Sequence, residues 1–229
     1  LSWSNGKDKI TTAIAGGAAP DIIELGSTWL PEFIGYNSLA ELPVDLLADF
    51  VAGFDAAIMA NKLYGLPLYG SINLVYYNKT LFQRAGIKDT PKNWQELLAA
   101  AEKIKALGKD FYGYAIKTAP KETAWQNFIG FIWSNNGEIL SADYKTVLLN
   151  SPQNRETFEF FNKLKTVSKI GTQYSVRQAF YKGEVGMIID GPGFNLEKKA
   201  PKLDAGFFIM PAAKSKINKS INAARAVDK

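Results

Sequence analysis

Three times in this chain a short β-prone run breaks directly into a loop of Gly, Ser and aromatic residues: GGAAPDIIELGSTW (16–29), YGLPLYGSINLVYYNKTLF (64–82) and AFYKGEVGMIIDGPGF (179–194). An open α/β sheet gathers its ligand contacts in such loops, outside the carboxyl ends of its strands. Helical periodicities separate the runs, so the expected fold class is α/β, with lobes built on largely parallel sheets flanked by helices. The loops point to binding before they point to catalysis.

The helical signals are local and strong. Ile10, Ala13 and Ile14 sit at helical spacing before Gly16 and Gly17, ahead of a strand through Ile22, Ile23, Glu24 and Leu25. Thr90 as N-cap and Pro91 at the first helical position open a helix through Trp94, Leu97, Leu98, Ala101 and Ile104 that stops at Gly108. Ser151 and Pro152 repeat the start signal for a helix that turns Phe158, Phe161 and Leu164 inward before Gly171. Residues 30–54 read as short helical turns that cover a sheet through Leu39, Leu42, Leu46 and Leu47. Further strands are expected at 72–77, 112–116, 184–189 and 206–210, whereas Leu66 and Pro67 open a segment too rich in Pro and Gly for a sheet interior. A crossing between lobes is placed at 69–73 and a second near 210–213. The resulting division is an N-terminal lobe at 1–70, a C-terminal lobe at 71–208, and at 209–229 a return crossing with the truncated remainder of the first lobe. No strand precedes the helix at Ile10, so the opening strand of the first lobe is expected upstream.

Composition removes much of the chemistry. With no cysteine and no histidine the chain has no thiol nucleophile or thiolate metal site, and it lacks the commonest general base and zinc ligand. The net charge of +5 is uneven: residues 1–197 hold 19 Lys/Arg against 20 Asp/Glu, and residues 198–229 hold 8 against 2. Basicity confined to one end reads as a solvated face or a frayed terminus, with an anionic partner as the minor reading. No apolar run approaches the roughly 18 residues of a membrane span.

The catalytic motifs are thin. There is no GxGxxG fingerprint and no Walker loop, and the Pro in Gly191-Pro192-Gly193 removes a donor that a phosphate cradle would use. Ser4-Asn5-Gly6-Lys7 matches SxxK without its companion signatures. Glu156 and Glu159 lie one helical turn apart, as a glycosidase pair could, but share a helix with Phe158 and Phe161 and read as a solvated flank. Glu24 and Asp190 fall within or just after predicted strands beside loops, where a carboxylate accepting a hydrogen bond from a hydroxyl is as reasonable as an acid catalyst. Aromatic residues are the positive signal, 29 in all. A pyranose offers apolar C–H faces and a rim of hydroxyls, so a sugar site pairs flat rings with Asp, Asn, Ser and Tyr groups. Trp29, Tyr69, Trp125 and Phe194 are the candidate platforms.

Four segments, in order, resemble the family 1 extracellular solute-binding proteins, the carbohydrate receptors of bacterial ABC importers that include the maltodextrin-binding proteins. They are KITTAIAGGAAPDIIELGSTWLPEF, YGLPLYGSINLVYYNKTLFQRAGI, TPKNWQELLAAAEKIK, and QAFYKGEVGMIIDGPG followed by FFIMP. The resemblance implies a two-lobed type II periplasmic-binding fold with a carbohydrate held in a cleft, hinge closure around it, and delivery to membrane permease subunits without chemical change. It implies no cofactor, no metal, no nucleic acid, a monomer, and a periplasmic or extracellular location, as a membrane-anchored lipoprotein before processing or free. Carried over by position, it places Ser27, Thr28 and Trp29, then Tyr69 and Ser71, and finally Gly193 and Phe194 at the ligand, with a loose correspondence for Trp125 and Asn127; Asp190 joins the set from its strand-end position. Where many relatives carry a tryptophan on the last loop, this chain has Gly193. Members of the family usually run to nearly twice this length, so the chain is expected to be incomplete at both ends. The competing readings are the same fold holding a peptide or polyamine, for which Glu24, Asp190 and Glu32 are few acidic groups, and a carbohydrate hydrolase.

Overall fold

The computed structural model describes residues 5–50, 57–68, 72–118, 122–143, 145–213 and 225–228. The chain divides into two compact units, Leu1–Ile72 with Asn222–Lys229, and Asn73–Ile221. In chain order the elements are α1 (Gly6–Ala15), β1 (Ile23–Gly26), α2 (Leu30–Gly35), the short strands β2 (Ile58–Met59), β3 (Lys62–Leu63) and β4 (Leu66–Pro67), β5 (Leu74–Asn78), α3 (Lys79–Arg84), α4 (Trp94–Lys105), β6 (Tyr112–Lys117), α5 (Glu122–Ser134), α6 (Pro152–Thr166), β7 (Ser168–Gly171), α7 (Gln173–Tyr181), β8 (Val185–Asp190), α8 (Leu196–Lys199), β9 (Ala205–Phe208) and β10 (Arg225–Asp228). Short 3-10 helices lie at Val44–Asp49 and Pro192–Phe194.

In the first unit α1 stops where Gly17 takes a φ of 66° and the Ala18 N–H reaches back to the Ala13 carbonyl at 2.9 Å, a left-handed exit that a side chain would resist. The strand that follows alternates, Ile23 and Leu25 inward and Glu24 outward. Its inward pair joins Ile10, Trp29, Leu30, Phe33, Leu39 and Leu63 in one apolar cluster, with Leu42 and Leu47 packed against it. Leu46, expected to cover a sheet with them, is exposed.

β10 lies between β1 and β4 and runs antiparallel to both, Ile23 opposite Asp228 and Ala226 opposite Pro67. Pro67 thus occupies an edge strand, the place in a sheet that tolerates a residue without an N–H. The largely parallel sheet expected for this lobe is not what forms among the described residues. Its middle strand is supplied from the far end of the chain and runs back along β1. Residues 225–228 belong to the basic stretch expected to be a solvated or frayed end.

The second unit holds a five-stranded sheet in the order β7-β6-β8-β5-β9. β6 is parallel to β7 and β8, while β5 is antiparallel to β8 and β9. Four strands therefore share one direction, and β5, by which the chain enters the unit, is inserted against them. The expected parallel sheet is present with that exception. Helices cover both faces. Leu97, Ala101 and Ile104 of α4 and Leu164 of α6 pack on Val75, Tyr114, Ile116, Met187 and Ile189. Val176, Ala179 and Phe180 of α7, with Phe194, pack on Ala115 and Ile188. A strand covered on both sides is a near-continuous apolar run, and β8 is buried from its first residue to its last, with Asp190 as its one charged member. Met210 joins this unit's core, and the Ala213 N–H donates to the Ser134 carbonyl at 3.0 Å.

Strands expected at 72–77, 112–116, 184–189 and 206–210 are found as β5, β6, β8 and β9. The start of α6 is as expected, with Ser151 Oγ accepting from the Asn154 N–H at 3.3 Å. α4 begins later than Thr90. Asn93 Oδ1 accepts from the Glu96 N–H at 2.9 Å while the Glu96 carboxylate accepts from Asn93 Nδ2 at 2.7 Å, so Asn93, three residues on, takes the N-cap role. α6 also ends sooner than expected, and residues 168–171 become β7. Phe158, expected to face inward, is 45% exposed and instead meets Phe128 at 4.7 Å between ring centroids.

Two glycines let α4 approach the sheet. A Cβ on Gly113 would stand 2.1 Å from the Ala101 carbonyl oxygen, and one on Gly186 would stand 2.4 Å from Ile104 Cδ1. Because the Ala101 contact is backbone, it cannot swing aside. Gly113→Ala should lower stability by about 1–3 kcal/mol, seen as an earlier denaturant midpoint at unchanged slope.

Candidate functional site at the carboxyl ends of the second sheet

Strand direction decides where polar groups gather in the second unit. Lys117 is the last residue of β6 and Asp190 the last of β8, and the register that sets Ala115 opposite Ile188 brings both to the same level at the carboxyl ends of parallel neighbours. The two are 6% and 3% exposed. A buried carboxylate needs partners. Arg177, which α7 carries beside the buried Val176, grips it in bidentate fashion: Nε donates to Oδ2 at 2.8 Å and Nη2 to Oδ1 at 2.6 Å. Lys117 Nζ lies 3.1 Å from Oδ2, and the Gly191 N–H donates to Oδ1 at 2.8 Å.

Burial works against the Asp190 charge, but the Arg177 hydrogen bonds, the nearby Lys117 and Arg177 charges and the Gly191 N–H outweigh it and hold the carboxyl below the usual carboxylate range. For Lys117 burial prevails over the attraction of Asp190, and Arg177 adds repulsion, so its pKa falls below that of an ordinary lysine. Burial opposes the Arg177 charge too, yet its bonds to Asp190 leave the pKa raised.

The turn after β8 is pinned to this cluster. The Phe194 N–H donates to the Gly191 carbonyl at 2.9 Å, and Tyr181 Oη donates to the Phe194 carbonyl at 2.5 Å. The Phe194 ring is 4.7 Å from Tyr76, 5.1 Å from Tyr181 and 5.4 Å from Phe180. Arg177 lies over its face at 5.8 Å.

Of the residues singled out in the sequence, the structure brings Asp190, Gly193 and Phe194 together in this corner. Phe194 is 1% exposed and packs in the core beneath α7, so its faces are covered and it is no stacking platform. Ser27 and Thr28 form a half-buried to exposed turn after β1 in the first unit, but Trp29 is 5% exposed and part of that unit's core. Its ring is turned inward because Trp29 is already the N-cap of α2, whose Leu30 and Phe33 face the same cluster. Trp125 and Asn127 lie on α5, Trp125 exposed and Asn127 half-buried. Tyr69 and Ser71 lie outside the described residues. Sequence reasoning missed Lys117 and Arg177. Both carried a signal, a lysine closing the apolar run YGYAI and an arginine next to an inward-facing helical stripe.

A model of the bacterial extracellular solute-binding proteins matches residues 1–227. The chain belongs to that family. A Brucella abortus relative that carries the name of a binding protein with no ligand stated is 33% identical over 225 residues, which is 93% of this chain and 54% of the relative. The diacetylchitobiose binding protein DasA of Streptomyces coelicolor is 25% identical over 224 residues, 91% of this chain and 52% of DasA. Among solved structures, an ABC transporter solute binding protein of Thermotoga lettingae bound with alpha-D-tagatose is 25% identical, with a TM-score of 0.83 over 98% of this chain and 62% of that one. UgpB of Mycobacterium tuberculosis, solved with glycerophosphocholine, is 19% identical with a TM-score of 0.87 over 99% and 61%, and shares the fold. The fold is that of the type II periplasmic binding proteins. The chain spans about half the length of the curated relatives it matches.

The Asp190 cluster makes a stability prediction with a definite sign. A carboxyl with a lowered folded pKa contributes stability that is complete above the ~3.9 of an unfolded aspartate and drains away as pH falls through the folded value. Asp190→Asn leaves two cations without their counterion and should cost about 3–5 kcal/mol at neutral pH. Urea melts should show that cost shrinking in acid, where the parent carboxyl is itself protonated.

Proposed function

We propose that this chain is the solute-capturing part of a sugar receptor of an ABC importer, which binds a mono- or oligosaccharide, closes by hinge rotation, and hands the unchanged ligand to membrane permease subunits. The observation that carries the reading is the family match over nearly the whole chain, joined by a relative named for diacetylchitobiose and a solved structure bound with alpha-D-tagatose. The division of the chain into two units is what hinge closure requires, since ligand contacts from both then exist together only in the closed population. The protein works outside the cytoplasm, as a monomer, and without a cofactor. It is no enzyme: the absence of histidine and cysteine leaves little for general-base or nucleophilic work, and Asp190, the strand-end carboxylate, is already committed to Arg177 and Lys117.

Ser27, Thr28, Tyr69, Ser71, Asn127 and Gly193 remain the proposed hydrogen-bonding and wall contacts, with Trp125 as the stacking platform. Trp125 suits that role because its indole is 40% exposed, as the buried Trp29 and Phe194 are not.

A thermal-shift screen against mono- and oligosaccharides should show a rise in melting temperature for the cognate sugar, because a ligand that binds only the native form adds to its stability. Trp125→Ala should then weaken calorimetric affinity by about 1–3 kcal/mol, by analogy with other aromatic stacking platforms, with the melting temperature of the free protein little changed. Chromatography of the sugar after incubation should recover it intact. Cleavage products would return the chain to the hydrolases, and a screen in which no carbohydrate shifts the melt would defeat the sugar reading.

A further inference from the structure

The corner at the ends of β6 and β8 carries more positive charge than it neutralises. Among the described residues, Asp190 is the one carboxylate that meets Lys117 and Arg177, and both of its oxygens are already taken. Two cations against one anion leave a net charge of about +1 in a setting where an unbalanced charge is costly. The phenols nearby do not offset it. Tyr181 spends its proton on the Phe194 carbonyl, and burial raises the pKa of both Tyr76 and Tyr181, which keeps them neutral.

Donors are left over as well. Arg177 uses Nε and one hydrogen of Nη2 on Asp190, and Lys117 directs one of three ammonium hydrogens there. Nη1 and the remaining hydrogens meet no acceptor that the structure shows among the described residues. The guanidinium plane is held by its bidentate pair, so the spare edge is a fork fixed in advance of any ligand. Access lies at Gly193, which is exposed: a Cβ there would have one atom within 4 Å, Arg177 Nη2 at 3.9 Å.

We propose that the site takes a sugar bearing one anionic group, a carboxylate or a phosphate ester, with the free edge of Arg177 as its contact and Lys117 as the second charge behind it. This rests on the sugar-receptor reading above and names the class of sugar. The anion brings the corner to two positive and two negative charges, and it occupies donors that a neutral hydroxyl would fill without removing the excess.

Calorimetry on the full chain with matched sets tests this: glucose, galactose and mannose, the uronate of each, and the 6-phosphate of each. In the set with the right ring stereochemistry the acidic members should bind about tenfold or more tighter than the neutral parent, and the uronate and phosphate arms show which anion is preferred. Lys117→Met and Arg177→Gln each leave Asp190 with one cation, so the corner is neutral and the fold keeps its carboxylate paired. Both should remove most of the preference for acid, and Lys117→Arg, which retains the charge, should preserve it. Acidic sugars no tighter than their parents, or a preference that survives both neutralising variants, overturns the proposal and leaves the receptor reading standing. Silence from every sugar in these sets and in the wider thermal-shift screen of mono- and oligosaccharides overturns both.

Discussion

The Asp190 carboxylate keeps its charge inside the fold because three elements meet it at once: α7 through Arg177, β6 through Lys117, and the turn after β8 through the Gly191 N–H. None of the three could shift far without stranding a charge away from solvent, and stranded charge is among the few errors that cost a protein a large share of its stability. One group therefore fixes the spacing of a helix, a strand end and a loop. The opposite face of the sheet is held differently. There Gly113 and Gly186 clear room for α4, and close apolar packing does the positioning. Ion pairing on one face and tight packing on the other leave the strand ends rigid where ligand contacts are expected.

Much of the second unit was legible because its signals are local. The Ser151-Pro152 start of α6 and the apolar runs of β5, β6 and β8 depend on neighbours a few residues away. Errors arose where two local signals competed or where a distant partner decided. Thr90-Pro91 and Asn93-x-x-Glu96 both announce a helix start, and the reciprocal side-chain bonds of the second settle the matter. The Ser168–Gly171 strand was hidden behind a helical periodicity that stops three residues short of it. Strand direction was the least legible property. The reversal of β5 and the antiparallel sheet of the first unit follow from which strands come together in space, and no periodicity encodes that.

The candidate site was half legible for a related reason. An aromatic residue beside a Gly- or Ser-rich loop can face the loop's ligand or the core beneath, and composition does not distinguish the two. Trp29 and Phe194 both went to the core, each because it caps or follows a turn whose next apolar neighbours already point inward. Asp190 was found from its place at a strand end. Its partners were not, since Lys117 and Arg177 are separated from it by 73 and 13 residues and become neighbours only through parallel pairing and the packing of α7.

The position of β10 reaches beyond architecture into the order of assembly. The middle strand of the first unit's sheet comes from residues 225–228, after the whole of the second unit has passed. A ribosome delivers the chain from its amino end, so the second unit is complete and free to fold while β1 and β4 still lack the strand that joins them. Closing that sheet means tying a loop of about 200 residues, an entropic cost that falls once the intervening segment has compacted. Pairing of β10 with β1 and β4 is therefore a late step for this sheet, one that waits on the segment between them.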